Sequence, residues 1–287
     1  MINIQNNKDL TQFSSAKLTF FADYIEAENK NHLAEILQYC LDHSMNFHLL
    51  GACSNQVIIN SVNKLMIKLN FTIDPISYEF NEQNTFYFPA NTKLSKLTSM
   101  CARHNLIGWD VITGIPAELG GAIYMNAGTN LGEISTMLHS IEIMDAAGKI
   151  RIHQVKVGDF SYRKNHFLEK NEIILGAHLN YFGQDINIRK KVNEYLLLRN
   201  KTQPMDKANY GCVFKNVSPE VRCGKLLDDL GFKGRRYKNL EVSTLHANFI
   251  NNLGGATAQD YFDFVSLIKN EVYQKTKLVI EEEIKFY

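Results

Sequence analysis

The residue types best suited to chemistry fall in a few short segments of the 287-residue chain. Gly114-Ile115-Pro116-Ala117-Glu118-Leu119-Gly120-Gly121-Ala122 runs on into Met125-Asn126-Ala127-Gly128, within the glycine-richest part of the sequence. Glycines let backbone N–H groups come close to a phosphate, and a helix start adds a favourable dipole. The density of Gly, Pro and Asn reads as a ligand loop. A shorter segment, Gly51-Ala52-Cys53-Ser54-Asn55, is by itself more simply a tight turn. No GK[ST] follows either loop and neither matches GxGxxG, so neither a Walker A nor a Rossmann site is supported.

Three other segments carry candidate groups. Arg163 stands beside aromatics in Phe160-Ser161-Tyr162-Arg163-Lys164-Asn165. It is able to clamp a carboxylate, although a solvated surface arginine is the simpler reading of that segment alone. Cys212, in Tyr210-Gly211-Cys212-Val213-Phe214-Lys215-Asn216, follows a loop and enters a strand. A lone cysteine is usually a small core residue, and no histidine lies close enough in sequence to support a nucleophile. Glu281, Glu282 and Glu283 sit in an apolar terminal strand, Leu278–Tyr287. Period-two alternation puts Glu281 and Glu283 on one face, either inward or at a solvated edge. His246 reads as a hydrogen-bonded core histidine; with no second ligand in sight, no metal site is expected.

The elements that must position these groups are mixed. Leu33, Ile36, Leu37, Cys40 and Leu41 mark one face of a helix over 29–45. Strands are expected at Phe47–Leu50, Val57–Ile59, Leu65–Leu69, Thr85–Phe88, 139–145 and 172–180, and helices at 93–104 and 186–198. Thr257-Ala258-Gln259-Asp260 opens a helix in the manner of a capping box, with Tyr261, Val265, Ile268 and Val272 inward. The order is not a clean βαβα alternation, so the class is α+β.

Composition narrows the function. Thirty-one Lys and Arg against 30 Asp and Glu leave a net charge of +1, which makes no case for nucleic acid or an anionic membrane. Five cysteines, an odd number with no CxxC pair, fit a reducing cytosol. The N-terminus lacks an apolar leader and no stretch nears the roughly 18 apolar residues of a membrane span. A cytoplasmic protein is expected.

Taken in order, the segments resemble the UDP-N-acetylenolpyruvoylglucosamine reductase (UDP-N-acetylmuramate dehydrogenase) family, in its short subtype. The resemblance runs from about residue 29 to the C-terminus. It is carried by GIPAELGGAIYMNAG at 114–128, FSYRKNHF at 160–167, GCVFKN at 211–216, HANFINNLGGATAQD at 246–260 and IEEEIKF at 280–286. It implies an FAD-binding N-terminal region of the PCMH (vanillyl-alcohol-oxidase-like) type and a smaller α+β C-terminal substrate domain. The expected borders are 1–198, in two subdomains of about 1–80 and 81–198, and 199–287.

The activity implied is reduction of UDP-N-acetylenolpyruvoylglucosamine to UDP-N-acetylmuramate in peptidoglycan precursor synthesis. NADPH reduces FAD; hydride then passes from flavin N5 to C3 of the enolpyruvyl ether, and a proton is added at C2. Position by position, Arg163 matches the arginine that stabilises the developing enolate, Glu283 the acidic residue that acts with it, and Cys212 the serine that donates the proton. Lys215, Asn216 and Asn248 fall in motifs that contact substrate. Gly51, Ser54, Asn55, Gly114, Ile115, Gly120, Gly121, Ala122 and Asn126 fall in those that contact FAD. The partner implied is a small UDP-sugar, and the chain is read as a monomer.

Several positions depart from the family pattern. Ala52 and Cys53 replace glycines of Gly-Gly-Gly-Ser-Asn, Lys17-Leu18-Thr19-Phe20 lacks the two glycines of Arg-x-Gly-Gly, and Ala90-Asn91 stands for Ala-Gly. Asn165 replaces a serine, and Glu282 a common proline. Most of the added bulk falls in the flavin-binding half. The alternative reading is therefore a paralogue that binds a UDP-sugar without flavin.

Overall fold

The computed structural model describes residues 2–59, 61, 64–72 and 85–287. The expected border between the N-terminal subdomains, at 80/81, lies outside the described residues. The chain divides into two compact units. The first holds Met1–Gln5, Tyr24–Ala52 and Asn63–Leu197; the second holds Asn6–Asp23, Cys53–Val62 and Leu198–Tyr287. The fold is α+β, as the element order predicts.

In the first unit, α1 (Lys30–Asp42) buries Leu33, Ile36, Leu37 and Cys40, and the Asn29 side chain caps it by accepting from the His32 N–H at 2.9 Å. Leu41, expected on the same face, is exposed instead. It follows Cys40 by one residue, about 100° around the helix, which takes it past the edge of the buried stripe. Parallel strands Asn46–Leu50 and Lys64–Leu69 pair in register, so that Leu50, the last residue before Gly51, lies opposite Lys68. A four-stranded antiparallel sheet follows, ordered Ile150–Gln154, Leu138–Met144, Ile173–Asn180 and Thr85–Pro89. Helix α2 (Leu94–His104) packs over it with Leu94, Leu97 and Cys101 buried. Trp109 is fully buried, edge-on to Phe88, and its indole N–H donates to Asn180 C=O at 2.8 Å. A short helix, α3 (Leu119–Tyr124), forms within the glycine-rich loop, and α4 (Ile188–Thr202) carries the chain out of this unit.

The second unit contains α5 (Cys223–Asp229), a three-stranded sheet of Arg236–Tyr237, Leu240–Val242 and Ile250–Asn252, and α6 (Ala258–Thr276). The predicted capping box is present: Thr257 and Asp260 each bond the other's backbone N–H. Tyr261, Phe264, Val265, Ile268 and Val272 turn inward into one apolar core with Val213, Phe214, Leu240 and Val242.

Two strand expectations need correction. Val57–Ile59 is strand only at Gln56–Val57, and Leu278–Tyr287 only at Lys285–Phe286, which pairs in parallel with it. Residues 281–284 instead run beside 213–215 through short pairings: Lys215 N–H to Glu281 C=O at 2.9 Å, Glu283 N–H to Val213 C=O at 2.8 Å, and a bridge between Phe214 and Glu282. Val213 C=O also takes the Ile284 N–H at 3.4 Å. One carbonyl serving two successive N–H groups breaks the alternation, so Glu281 is exposed while Glu283 is partly buried. Cys212 likewise enters no strand.

Candidate functional site

The glycine-rich loop of the first unit is built by backbone pairing. Gly114 is left-handed (φ +75°), and Ile115 and Ala117 close turns behind it. At the start of α3, Leu119 N–H donates to Thr92 C=O and Gly120 N–H to Ala90 C=O, both at 2.8 Å. A Cβ on Gly120 would stand 2.8 Å from Ala90 Cβ, so only glycine fits there. Gly121 is the opposite case: a Cβ would meet no atom within 4 Å. Ala122 is buried. Asn126, fully buried and left-handed at φ +47°, donates to Glu133 Oε2 at 2.7 Å and Ser161 C=O at 3.1 Å and accepts from Ser135 N–H at 3.3 Å.

Arg163 docks on the far end of this loop. Phe160–Ser161 and Lys164–Asn165 form a hairpin whose two turn residues are Tyr162 and Arg163. Arg163 is left-handed (φ +58°), a backbone position that costs a residue with a Cβ about 1–2 kcal/mol. Its guanidinium lies 4.9 Å from the centre of the Tyr162 ring and donates to Gly128 C=O at 3.1 Å. Asn165 donates to Tyr124 C=O at 2.5 Å, a reach that the serine common in the family lacks.

Beside the loop lies a cavity of about 470 Å³ lined by Lys68, Asn91, Lys93, Ser95, Lys96 and Glu118, among others. Lys68 Nζ is 2.8 Å from Glu118 Oε1 and donates to Gly51 C=O at 3.3 Å. Burial raises the Glu118 carboxyl above its ordinary value, while Lys68 and Lys93 work against that shift. Sequence reasoning missed this group. Its only signal is the strand register that sets Lys68 across from the residue before Gly51. A cationic lining beside the glycine segments that hold Gly51 and Gly121 suits a diphosphate, so the residues present fit the phosphate portion of FAD.

The second unit assembles the other candidates. Cys53, where the family carries glycine, is left-handed (φ +43°), the conformation a glycine would supply; its C=O accepts from Ser15 N–H at 3.2 Å. Two residues on, past the partly buried Ser54, the Asn55 amide donates to Glu283 C=O at 3.0 Å, and Asn55 C=O accepts from Lys285 N–H at 2.9 Å. Glu283 N–H bonds Val213, the neighbour of Cys212. Cys212 is partly exposed, whereas Cys40, Cys53, Cys101 and Cys223 are buried. Burial pushes the Cys101 and Cys223 thiols up to about 12.

Asn248, only 3% exposed, donates to Phe214 C=O at 2.8 Å and accepts from Phe214 N–H at 3.0 Å. Asn216 accepts from Cys223 N–H at 3.1 Å at the start of α5. Lys215 pairs with Glu281 at 3.1 Å, and Lys269 with Glu282 at 2.6 Å. His246 is hydrogen-bonded as expected but only partly buried rather than a core residue: it accepts from Asn248 N–H at 3.2 Å and packs on Gly224, and burial lowers its pKa.

The structure thus brings Asn55, Cys212, Lys215, Asn216, Asn248 and Glu283 into one unit. Gly51, Gly114 to Asn126 and Arg163 belong to the other. Among the described residues no helix is long and apolar enough to cross a membrane, and no group of three metal-ligating side chains is found.

Two stretches of the chain match known families. Residues 203–287 match the family described as UDP-N-acetylenolpyruvoylglucosamine reductase, C-terminal domain, and residues 22–153 match the FAD binding domain family. A UDP-N-acetylenolpyruvoylglucosamine reductase of Caldicellulosiruptor bescii is 31% identical over 293 residues, covering 99% of this chain and 91% of the relative. That of Streptococcus thermophilus is 30% identical over 290 residues, covering 99% and 93%. The crystal structure of UDP-N-acetylenolpyruvylglucosamine reductase from Thermus caldophilus superposes with a TM-score of 0.83 at 27% identity, covering 100% of this chain and 99% of that one.

Proposed function

The chain belongs to the UDP-N-acetylenolpyruvoylglucosamine reductase family, and on that premise we propose that it reduces UDP-N-acetylenolpyruvoylglucosamine to UDP-N-acetylmuramate with NADPH. The observation that carries the reading is the pairing of Val213 with Glu283, which sets the one partly exposed cysteine next to the terminal acidic residue. FAD, when bound, supplies hydride chemistry.

The chain's own residues do the rest. Cys212 holds the proton destined for C2; a positioned acid contributes about 10²–10⁴-fold, and a thiol is a better acid than the usual serine. Arg163 stabilises negative charge growing on the substrate carboxylate, with Glu283 acting alongside it. Lys215 and Asn216 contact substrate, and Asn248 serves by fixing the backbone at Phe214. Gly51, Ser54, Asn55, Gly114, Ile115, Gly120, Gly121, Ala122 and Asn126 form the flavin-binding set. Residues 1–198 form the flavin-binding region and 199–287 the substrate domain of a cytoplasmic, monomeric enzyme.

The test is a visible absorption spectrum after incubation with FAD and desalting. The expected result is one flavin per chain, bleached by NADPH and restored by the enolpyruvyl UDP-sugar. Protein that stays colourless means that the substitutions at 19–20, 52–53 and 91 have abolished the flavin site, and the reductase reading falls.

A further inference from the structure

The cavity beside the glycine-rich loop carries three ammonium groups, on Lys68, Lys93 and Lys96, against one carboxylate, on Glu118. The pair between Lys68 and Glu118 is largely shielded from water, with side-chain exposures of 18% and 10%. It also stands against the first glycine loop. Lys68 reaches Gly51 C=O, and Glu118 Oε2 lies 3.8 Å from the point a Cβ on Gly51 would take. Glu118 immediately precedes Leu119, Gly120 and Gly121, so one carboxylate sits beside both glycine segments. It makes no capping bond to α3; its partner is Lys68.

We propose that Glu118 sets the strength of flavin binding: its carboxylate holds Lys68, and the diphosphate of an incoming dinucleotide must draw Lys68 away from it. This rests on the flavin reading above. A buried carboxylate beside an anion, with its cation diverted, is a like charge in a poorly solvated place, and it is relieved by taking up a proton. The charged groups facing Glu118 among the described residues are Lys68, on strand Lys64–Leu69, and Lys93, in the turn before α2; Lys96, in the first turn of α2, lines the same cavity. In the free protein burial raises the Glu118 pKa and the two nearby cations limit that rise. Loss of Lys68 to the diphosphate lets it rise. Binding therefore takes up protons, and affinity falls as pH increases between the carboxyl's value in the free protein and its higher value in the complex.

The experiment is titration of the flavin-free protein with FAD from pH 5 to 8, following flavin fluorescence, for the parent and Glu118→Gln. Riboflavin, which has no phosphate, is the control ligand. Glu118→Gln keeps the shape and a hydrogen bond to Lys68 while removing the charge. The expected result is FAD binding at least tenfold tighter, no dependence on pH below 7, and unchanged riboflavin binding. Glu118→Ser, which offers a helix-capping hydroxyl, is the second variant should the first fold poorly, with the same expectation. If the parent binds FAD but both variants bind it equally or more weakly, the proposal is wrong and the flavin reading stands. If neither parent nor variants bind FAD, the flavin reading fails and takes the proposal with it.

Discussion

Asn248→Ala separates a residue that holds the site from one that touches substrate. The Asn248 amide makes two hydrogen bonds to the backbone of Phe214, at 2.8 and 3.0 Å, and Phe214 is 1% exposed. Neither backbone group can turn to water when the amide is removed. A buried donor or acceptor left unsatisfied costs about 1–3 kcal/mol, so the pair comes to roughly 3 kcal/mol once local relaxation is allowed. For a protein of this size that lowers the thermal midpoint by about 6–12 °C. Asn248→Asp keeps an acceptor for Phe214 N–H but loses the donor to its C=O and sets a buried carboxylate against that carbonyl, so a loss at least as large is expected. Urea and thermal unfolding of the parent and both variants, followed by circular dichroism, give the numbers. The Cys212–Lys215 backbone is hung on these bonds, so substrate reduction should slow together with the loss of stability. Stability within about 0.5 kcal/mol of the parent, with weakening confined to UDP-sugar binding, would refute the clamp and make Asn248 a substrate contact.

Three further outcomes are expected. Cys212→Ala should bind FAD as the parent does yet slow reoxidation of the reduced flavin by substrate about 10²–10⁴-fold, with Cys212→Ser intermediate; unchanged reoxidation in stopped-flow absorbance excludes Cys212 as the proton donor. Gly120→Ala should destabilise the protein by about 1–3 kcal/mol through its clash with Ala90, whereas Gly121→Ala should leave the unfolding midpoint unchanged and weaken FAD binding. His48 is held at about 4, first by burial and then by Lys64, so the folded protein refuses a proton that the unfolded chain takes up below about 6.5. Stability should therefore drop as pH falls from 6.5 to 4, by about 3 kcal/mol at the lower end. His48→Gln should flatten that part of the urea-midpoint curve, and an unchanged slope assigns the acid sensitivity elsewhere.

How much was legible in the sequence differs between elements and site. Helices α1, α2 and α6 were readable because their apolar spacing and, for α6, the Thr257–Asp260 box are local signals. The terminal segment was misread because alternation at Glu281 to Glu283 is only a pattern; Val213 C=O, 70 residues away in sequence, bonds two successive N–H groups there and breaks it. The three-stranded sheet and α5 lack such spacing and were not predicted. Lys68 gave no sign of function, since a lysine in a strand is ordinary until pairing places it opposite Leu50.

The sequence alone determined the α+β class, the chemistry-bearing types Arg163, Cys212 and Glu283, and the family to which their motifs point, because residue type and short-range spacing are written locally. Tertiary structure alone decided that Asn248 spends its amide on backbone and Asn126 on Glu133 and backbone, that Gly120 is packed shut while a Cβ at Gly121 meets nothing, and that Glu118 occupies Lys68. Each of these depends on which distant backbone groups a side chain meets, and only the packed chain determines that.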